Sequence, residues 1–315
     1  MESAFPHIRG YFFVIRNETN QQIVAGLPVY SVKSWLTGRR LVSVPFAPIS
    51  DPVASTSAEV SQLVTRAMEL EREEGAKYLE VRVTHGGQLF SETPLKQTSS
   101  YLHHYIALKG DPQATFRSFS RTAVQQEIKK AQKSGTVVRA CNDASDYKAF
   151  HAVLSETRKR LSLPAIPQAF FMALHEKLGP QCILFAASNG GTLVGSLLVT
   201  HYGRCCSAEF IGDRRADTCT STSHLLYWSA IQWAIEKGYT QFSFGRTATS
   251  NQDLIRFKQR WGTTEEETFA YSDEIVTSKP GRESSFKYRT ARQVIRHLPT
   301  PLYHQMGNFL YRHMG

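Results

Sequence analysis

Two short stretches carry the residues best placed to do chemistry. The first is Gly245-Arg246, at the end of Gly-Tyr-Thr-Gln-Phe-Ser-Phe-Gly-Arg from Gly238. The second is Phe257-Lys258 with Trp261-Gly262 beyond it. Phe242 and Phe244 alternate with Gln241 and Ser243, which predicts a short buried strand ended by Gly245. Leu254, Phe257 and Trp261 stand at i, i+3 and i+7, which predicts a helix packing that face inward. Lys258 then lies at the edge of the buried face, where loss of water strengthens a cation as a partner for an anion. Arg246 falls just past the strand, at the end where open sheets place ligands. An ordinary strand and helix with solvated cations gives the same pattern, and spacing alone leaves both readings open.

The elements that must hold these residues follow from periodicity and turn residues. Strands are expected at residues 11–16, 23–34, 39–45, 78–83 and 101–108, with a helix over 56–74 that Gly75 ends. A helix over 112–134, stopped by Gly135, leads to a strand at 136–140 and helices at about 143–161 and 168–178. A hairpin turns at Asn189-Gly190-Gly191, a strand covers 205–211, and a helix over 220–237 carries the stripe Leu225, Trp228, Ile231, Ala234 and Ile235. The two halves repeat one order: hairpin, strand, long helix, glycine, strand. Val24-Ala-Gly-Leu parallels Leu193-Val-Gly-Ser, and Glu73-Glu-Gly-Ala parallels Glu236-Lys-Gly-Tyr. The first copy lacks the strand and two helices that open the second.

Length and composition suit two soluble α/β domains. The 315 residues are 41% hydrophobic and 20% charged, and no apolar run approaches the roughly 20 residues that span a bilayer. The start, Met-Glu-Ser-Ala-Phe-Pro, lacks the basic-then-apolar pattern of a signal peptide, so a cytoplasmic protein is expected. Five cysteines with no C-x-x-C pair argue for reduced thiols rather than a disulfide framework or zinc site. The net charge of +10 is concentrated: residues 279–315 carry +6 and residues 115–135 carry +4. Two basic segments on a neutral body imply anionic partners, namely phosphates, RNA or a membrane surface.

The strand ending Phe244-Gly245-Arg246 with the helix motif Phe257-Lys258-x-x-Trp261-Gly262 resembles the signature of FemAB-like acyltransferases, a branch of the GNAT superfamily. That branch includes the peptidoglycan interpeptide-bridge aminoacyltransferases and exosortase-associated proteins. Gly26-Leu-Pro28, the run from Ser34-Trp35 to Pro45-Phe46, the basic helix Ile128-Lys-Lys-Ala-Gln-Lys133 and Thr157-Arg158 are similar to that branch too. The resemblance covers most of residues 23–271. It implies two GNAT-like halves, each a mixed twisted sheet flanked by helices, which agrees with the repeat. The expected partition is a truncated half at 1–111, a basic linker helix at 112–135, a complete half at 136–278 and a basic helical tail at 279–315. The chain starts late relative to that branch, and it shows no inserted coiled-coil arm of the kind some tRNA-using members carry.

The resemblance implies transfer of an acyl or aminoacyl group to an amine of a bacterial cell-envelope, peptidoglycan or exopolysaccharide precursor. Acyl-CoA or aminoacyl-tRNA would be the co-substrate, and no metal is expected. Such chemistry needs a proton acceptor for the amine, donors for the tetrahedral oxyanion, and cations or helix N-termini for phosphates. In that architecture the reaction sits where the strands at 205–211 and 241–244 splay. The resemblance carries anion contact or charge stabilisation to Lys258, and it makes Gly245, Phe257 and Trp261 of its motif substrate-binding candidates. Arg246 is the next anion partner and Arg158 a weaker one. Glu209 is the one carboxylate on the first of these strands, a candidate base or an ordinary strand glutamate. The pyrophosphate-loop position reads Arg215-Ala-Asp-Thr-Cys-Thr-Ser221-Thr222-Ser223, without glycine. Its hydroxyls either bind an anion or cap the helix. The basic tail is a candidate for peripheral membrane contact. The rival readings are an acyl-CoA N-acetyltransferase of a small amine and a non-catalytic RNA- or envelope-binding module.

Overall fold

The computed structural model describes residues 1–84, 87–214, 221–274 and 295–314. The basic stretch at 279–294 and residues 215–220, Cys219 among them, lie outside them. The chain forms two compact units, broken at residues 102/103. Unit 1 holds Met1–Leu102 with described residues from Glu266 and from Asn308 onward; unit 2 holds His103–Glu265 with those up to Gly307.

In unit 1, β1 (Ile8–Arg16), β2 (Ile23–Ser34) and β3 (Gly38–Val42) form an antiparallel meander. Helix α1 (Ser57–Glu74) crosses over to β4 (Leu79–Val83), which runs parallel to β3. The helix starts where Thr56 and Glu59 satisfy each other's backbone amides, and it ends at Gly75, whose φ of 60° is open to a residue without Cβ. Its buried stripe Val60, Leu63, Val64, Ala67 and Leu70 recurs at helical spacing and packs on Leu27, Val29, Leu41, Leu79 and Val81. A strand at β11 (Thr264–Ser272) pairs antiparallel with β4. Sequence periodicity did not reveal it, because three consecutive glutamates hide the alternation. β5 (Lys96–Ala107) contains the break between the units.

Unit 2 repeats that order. β7 (Cys182–Asn189), β8 (Thr192–Tyr202) and β9 (Cys205–Asp213) form the meander, α6 (Thr222–Glu236) crosses over, and β10 (Gln241–Ala248) runs parallel to β9. Ahead of them come α2 (Pro112–Ser118), α3 (Gln126–Lys133), β6 (Val137–Cys141), α4 (Ala144–Arg160) and α5 (Gln168–Leu178). After them come α7 (Gln252–Gln259) and α8 (Thr300–Tyr311), of which the residues up to Gly307 belong to this unit. Ile128 and Ala131 of α3 and the α6 stripe pack with Phe185, Leu197, Phe242 and Trp261. On the α4 and α5 side, Phe171 meets Phe150 and Phe210 edge-on. α4 crosses β9 so closely that a Cβ on Gly212 would lie 2.8 Å from the Leu154 backbone, so only glycine fits there.

The single helix expected over 112–134 is three pieces. Ser118 Oγ donates back to the Thr115 carbonyl, Phe119 turns extended, and Ser120 caps a new turn that runs as a π segment, Arg121–Gln125, into α3. Burial of the Phe119 ring against Trp228 and Trp261 outweighs the helix bonds lost there.

Candidate functional site

The parallel ladder of β9 and β10 is short. It pairs Gln241 with Cys205, Phe242 with Cys206 and Ser243 with Ser207, then stops, although both strands continue. Beyond that point lie Glu209 on β9 and Gly245-Arg246 on β10. β10 does not end at Gly245, as its sequence suggests. It kinks there, at φ +69°, and runs on to Ala248, so Arg246 lies within the strand. Nothing lies within 4 Å of where a Gly245 Cβ would be, so the glycine answers to backbone conformation rather than crowding.

Lys258 reaches this kink from α7. Its Nζ donates to the Gly245 carbonyl at 2.8 Å and to that of Arg246 at 3.4 Å. The side chain is 5% exposed, and no carboxylate ion-pairs with it among the described residues. Burial therefore pushes its pKa down to about 8. The inward face of α7 differs from the expected one. Ile255 and Lys258 are buried and Leu254 is exposed, so Lys258 stands at the centre of the face rather than its edge. The short helix is rotated by Asn251, whose side chain caps the Leu254 amide. Phe257 is half-buried, and Trp261 is fully buried just past the helix, against Phe244 and Phe119.

Two histidines of β5 flank the kink, and sequence reading singled out neither. His103 Nε2 lies 2.8 Å from Ser243 Oγ, which also accepts from the Gly245 amide at 3.0 Å. His104 is 0% exposed, and neither ring nitrogen has a hydrogen-bond partner. Its Nδ1 lies 3.8 Å from Glu265. Burial, with the Lys258 charge as a second cause, lowers its pKa. The only sequence signal for them was two adjacent histidines in a β-rich stretch, which points to no partner.

Glu209 sits in the register shift where β8 Leu198 pairs with Phe210 and Val199 with Ala208. The bulge leaves its carboxylate to accept from Thr200 Oγ1 at 2.9 Å. That bond orients a carboxylate at the splay. Arg158 is elsewhere, with Nε donating to the Pro164 carbonyl at 2.8 Å, which ties down the loop between α4 and α5.

At the α6 N-terminus, Ser221 holds φ +75° and its hydroxyl donates to the Glu127 carboxylate of α3. Thr222 is buried and Ser223 half-buried. A carboxylate of the protein itself already stands at the positive end of this helix. The buried cysteines are poor nucleophiles, since burial raises Cys182 to about 11 and Cys206 to about 12.

Residues 118–259 match the family model described as an acetyltransferase (GNAT) domain. No curated protein matches the chain. Among solved structures it is similar to FemX, at 13% identity and a TM-score of 0.68, covering 91% of each chain. It is also similar to L-PGS from Bacillus licheniformis, at 10% identity and 0.59, covering 93% of this chain and 90% of that one. A tandem GNAT protein from the clavulanic acid biosynthesis pathway follows at 14% and 0.56, covering 87% and 85%. At such identities these likenesses carry the fold, including its tandem form.

Proposed function

We propose that this chain, an acyltransferase of the GNAT superfamily with a FemAB-like fold, moves an acyl or aminoacyl group onto an amine of an anionic cell-envelope precursor. The observation that carries the reading is Lys258. A buried ammonium without a carboxylate partner is costly to keep, and an anionic substrate or a developing oxyanion supplies the missing charge. Two of its three N–H groups hold the kink carbonyls, which aims the third. Arg246 adds a guanidinium on the same strand for phosphate or carboxylate. The attacking amine must lose a proton, and Glu209, held by Thr200, accepts it. His103 on Ser243 is a second acceptor on the β10 side. The amine nitrogen bonds to the acyl carbon, the tetrahedral oxyanion collapses, and the carrier leaves with the proton the amine gave up. Gly245, Phe257 and Trp261 set the position of Lys258 rather than touch substrate.

The likeness in fold to FemX and L-PGS supports an envelope acceptor, and a peptidoglycan or exopolysaccharide precursor is the class we propose. Glu127 beside Ser221 disfavours a pyrophosphate at the α6 N-terminus and shifts the donor toward a carrier bound otherwise, such as aminoacyl-tRNA. The second reading, acetyl-CoA with a small amine, is favoured by the description of the matching domain. Among the described residues no helix is long and apolar enough to cross a membrane. The partition at residues 111, 135 and 278 stands as a proposal beside the two compact units.

The test is thermal shift against acetyl-CoA, longer acyl-CoAs, aminoacyl-tRNA analogues and UDP-linked muropeptides, followed by product detection with the stabilising pair. Stabilisation by a muropeptide that disappears in Lys258→Ala is expected. Stabilisation by acetyl-CoA alone, with acetylation of small amines, would replace this reading with the second.

A further inference from the structure

The hairpin joining β2 and β3 in unit 1 ends in Ser34-Trp35-Leu36-Thr37-Gly38. Trp35 is 78% exposed and Leu36 59%, side by side at the tip. The tip is built rather than frayed. Ser34 Oγ accepts from the amides of Leu36 and Thr37 and pairs with His313 Nδ1 at 3.0 Å. Arg40, buried beneath, donates to Thr37 Oγ1 and to the His313 carbonyl. The Trp35 ring packs edge-on against His313 at 5.1 Å and against Phe309 at 6.2 Å, and Phe309 and Met314 are exposed beside it. Much of the polar bonding underneath thus serves to hold large apolar side chains in water.

The surroundings are cationic. Lys77 Nζ donates to the Thr37 carbonyl at 2.8 Å, in the same turn. Lys33 is exposed two residues before Trp35 on β2, and Arg312 is exposed next to His313 on the α8 side. None of these three has a carboxylate ion pair among the described residues. Glu74, at the end of α1, is engaged by Arg39 of β3.

We propose that the Trp35–Leu36 tip, with Phe309 and Met314, inserts into the interface of an anionic lipid bilayer while Lys33, Lys77 and Arg312 meet its head groups. Indole rings favour the membrane–water boundary, and a leucine beside one adds apolar area below it. Each cation near an anionic surface contributes about a fivefold gain in binding. A protein partner fits less well, because a convex tip ringed by unpaired charges of one sign offers no flat apolar area to bury. The inference stands on unit 1 alone and does not depend on the reaction proposed for unit 2.

Trp35 gives its own signal, since Trp228 and Trp261 are buried and Trp233 half-buried. The full chain is titrated with vesicles of equimolar phosphatidylglycerol and phosphatidylcholine, and with phosphatidylcholine alone. Expected are a blue shift of the tryptophan emission, quenching by brominated acyl chains, and co-sedimentation with the anionic vesicles that weakens as salt rises. Trp35→Ala with Leu36→Ser should lower binding at least tenfold without changing the melting temperature. Lys33→Glu with Arg312→Glu, which leaves the apolar tip intact, should lower it by at least as much. Unchanged binding in the first variant would overturn the proposal and assign adsorption to other basic residues. So would a blue shift that grows with protein concentration in the absence of lipid, which would make the tip a contact between copies. Absence of binding to anionic vesicles would overturn it outright.

Discussion

The two units build one motif twice and furnish it differently. In each, an antiparallel meander is followed by a crossover helix and a strand parallel to the third. In unit 1 the charged side chains of the last strand are paired, although the buried Thr84 hydroxyl at its end has no hydrogen-bond partner among the described residues. Arg82 on β4 bonds Glu80 and the Ala47 carbonyl, and Asp51 takes the Thr84 amide. In unit 2 the corresponding β10 kinks away from β9, and the groups around it are left wanting. Lys258 is buried without a counter-charge and His104 without a hydrogen-bond partner. A buried charge without a counter-charge costs stability, so a fold that has a charge-paired version available keeps one where a ligand completes it. The comparison teaches that unit 1 is furnished as a scaffold, whereas unit 2 holds the unpaired charge on which the proposed site rests.

That contrast can be broken most sharply at the two cations. Lys258→Met should lower kcat/KM by about 100-fold or more, the scale of losing a charge-stabilising donor, with little change in melting temperature. The rate of the unaltered protein should fall as pH rises through about 8, because the protonated amine is the form that meets the anion. The variant should lack that limb. Arg82→Met is the mirror experiment. It strands Glu80 and should destabilise the protein by about 1–3 kcal/mol in urea titration, with turnover within twofold. If Arg82→Met abolished turnover and spared stability, the roles of the units would be reversed.

A smaller effect tests whether unit 1 has a strained group of its own. Glu71 on α1 is buried, and burial with the Asp273 carboxyl beside it raises its pKa to about 7. The folded value lies above the ordinary 4.5, so its contribution is complete below about pH 4.5. It is lost as pH rises toward 7. Chemical denaturation should show about 3 kcal/mol less stability at pH 8 than at pH 4.5 from this group, and Glu71→Gln should flatten the difference. Because Glu71 lies on the buried face of α1 and not at the splay of β9 and β10, catalysis should not follow the same curve.

The smallest effect concerns the two crossover helices. α1 opens with a capping box, whereas α6 opens with Ser221 in the left-handed region, facing Glu127. Removing that charge in Glu127→Gln should tighten acetyl-CoA by about fivefold, near 1 kcal/mol, when measured by calorimetry. No change would mean that a nucleotide pyrophosphate, if bound, sits away from this helix end.

Much of this contrast was legible in the sequence. The repeat, the helix at 57–74, the Asn189-Gly190-Gly191 hairpin and the strand–helix pair around Lys258 all follow from local rules, because apolar spacing and αL-tolerant residues record what each segment needs. The rotation of α7 was not legible. Leu254 and Ile255 are equally apolar, and the choice between them fell to Asn251 and to the carbonyls that Lys258 reaches. Nor was the break at Phe119, since its reward is contact with rings far along the chain.

By itself, then, the amino-acid order determined most of the elements, their order and the lysine worth watching. Each of these depends on neighbours within a few turns. Only the tertiary structure decided that His103 faces Ser243, 140 residues away, and that Glu127 meets Ser221 across 94. It also decided that the β9–β10 ladder ends at Ser207 and Ser243. Periodicity tells which side chains leave water, but not what they meet there. A site made of groups brought together by packing is therefore written into the fold and not into any one stretch of the chain.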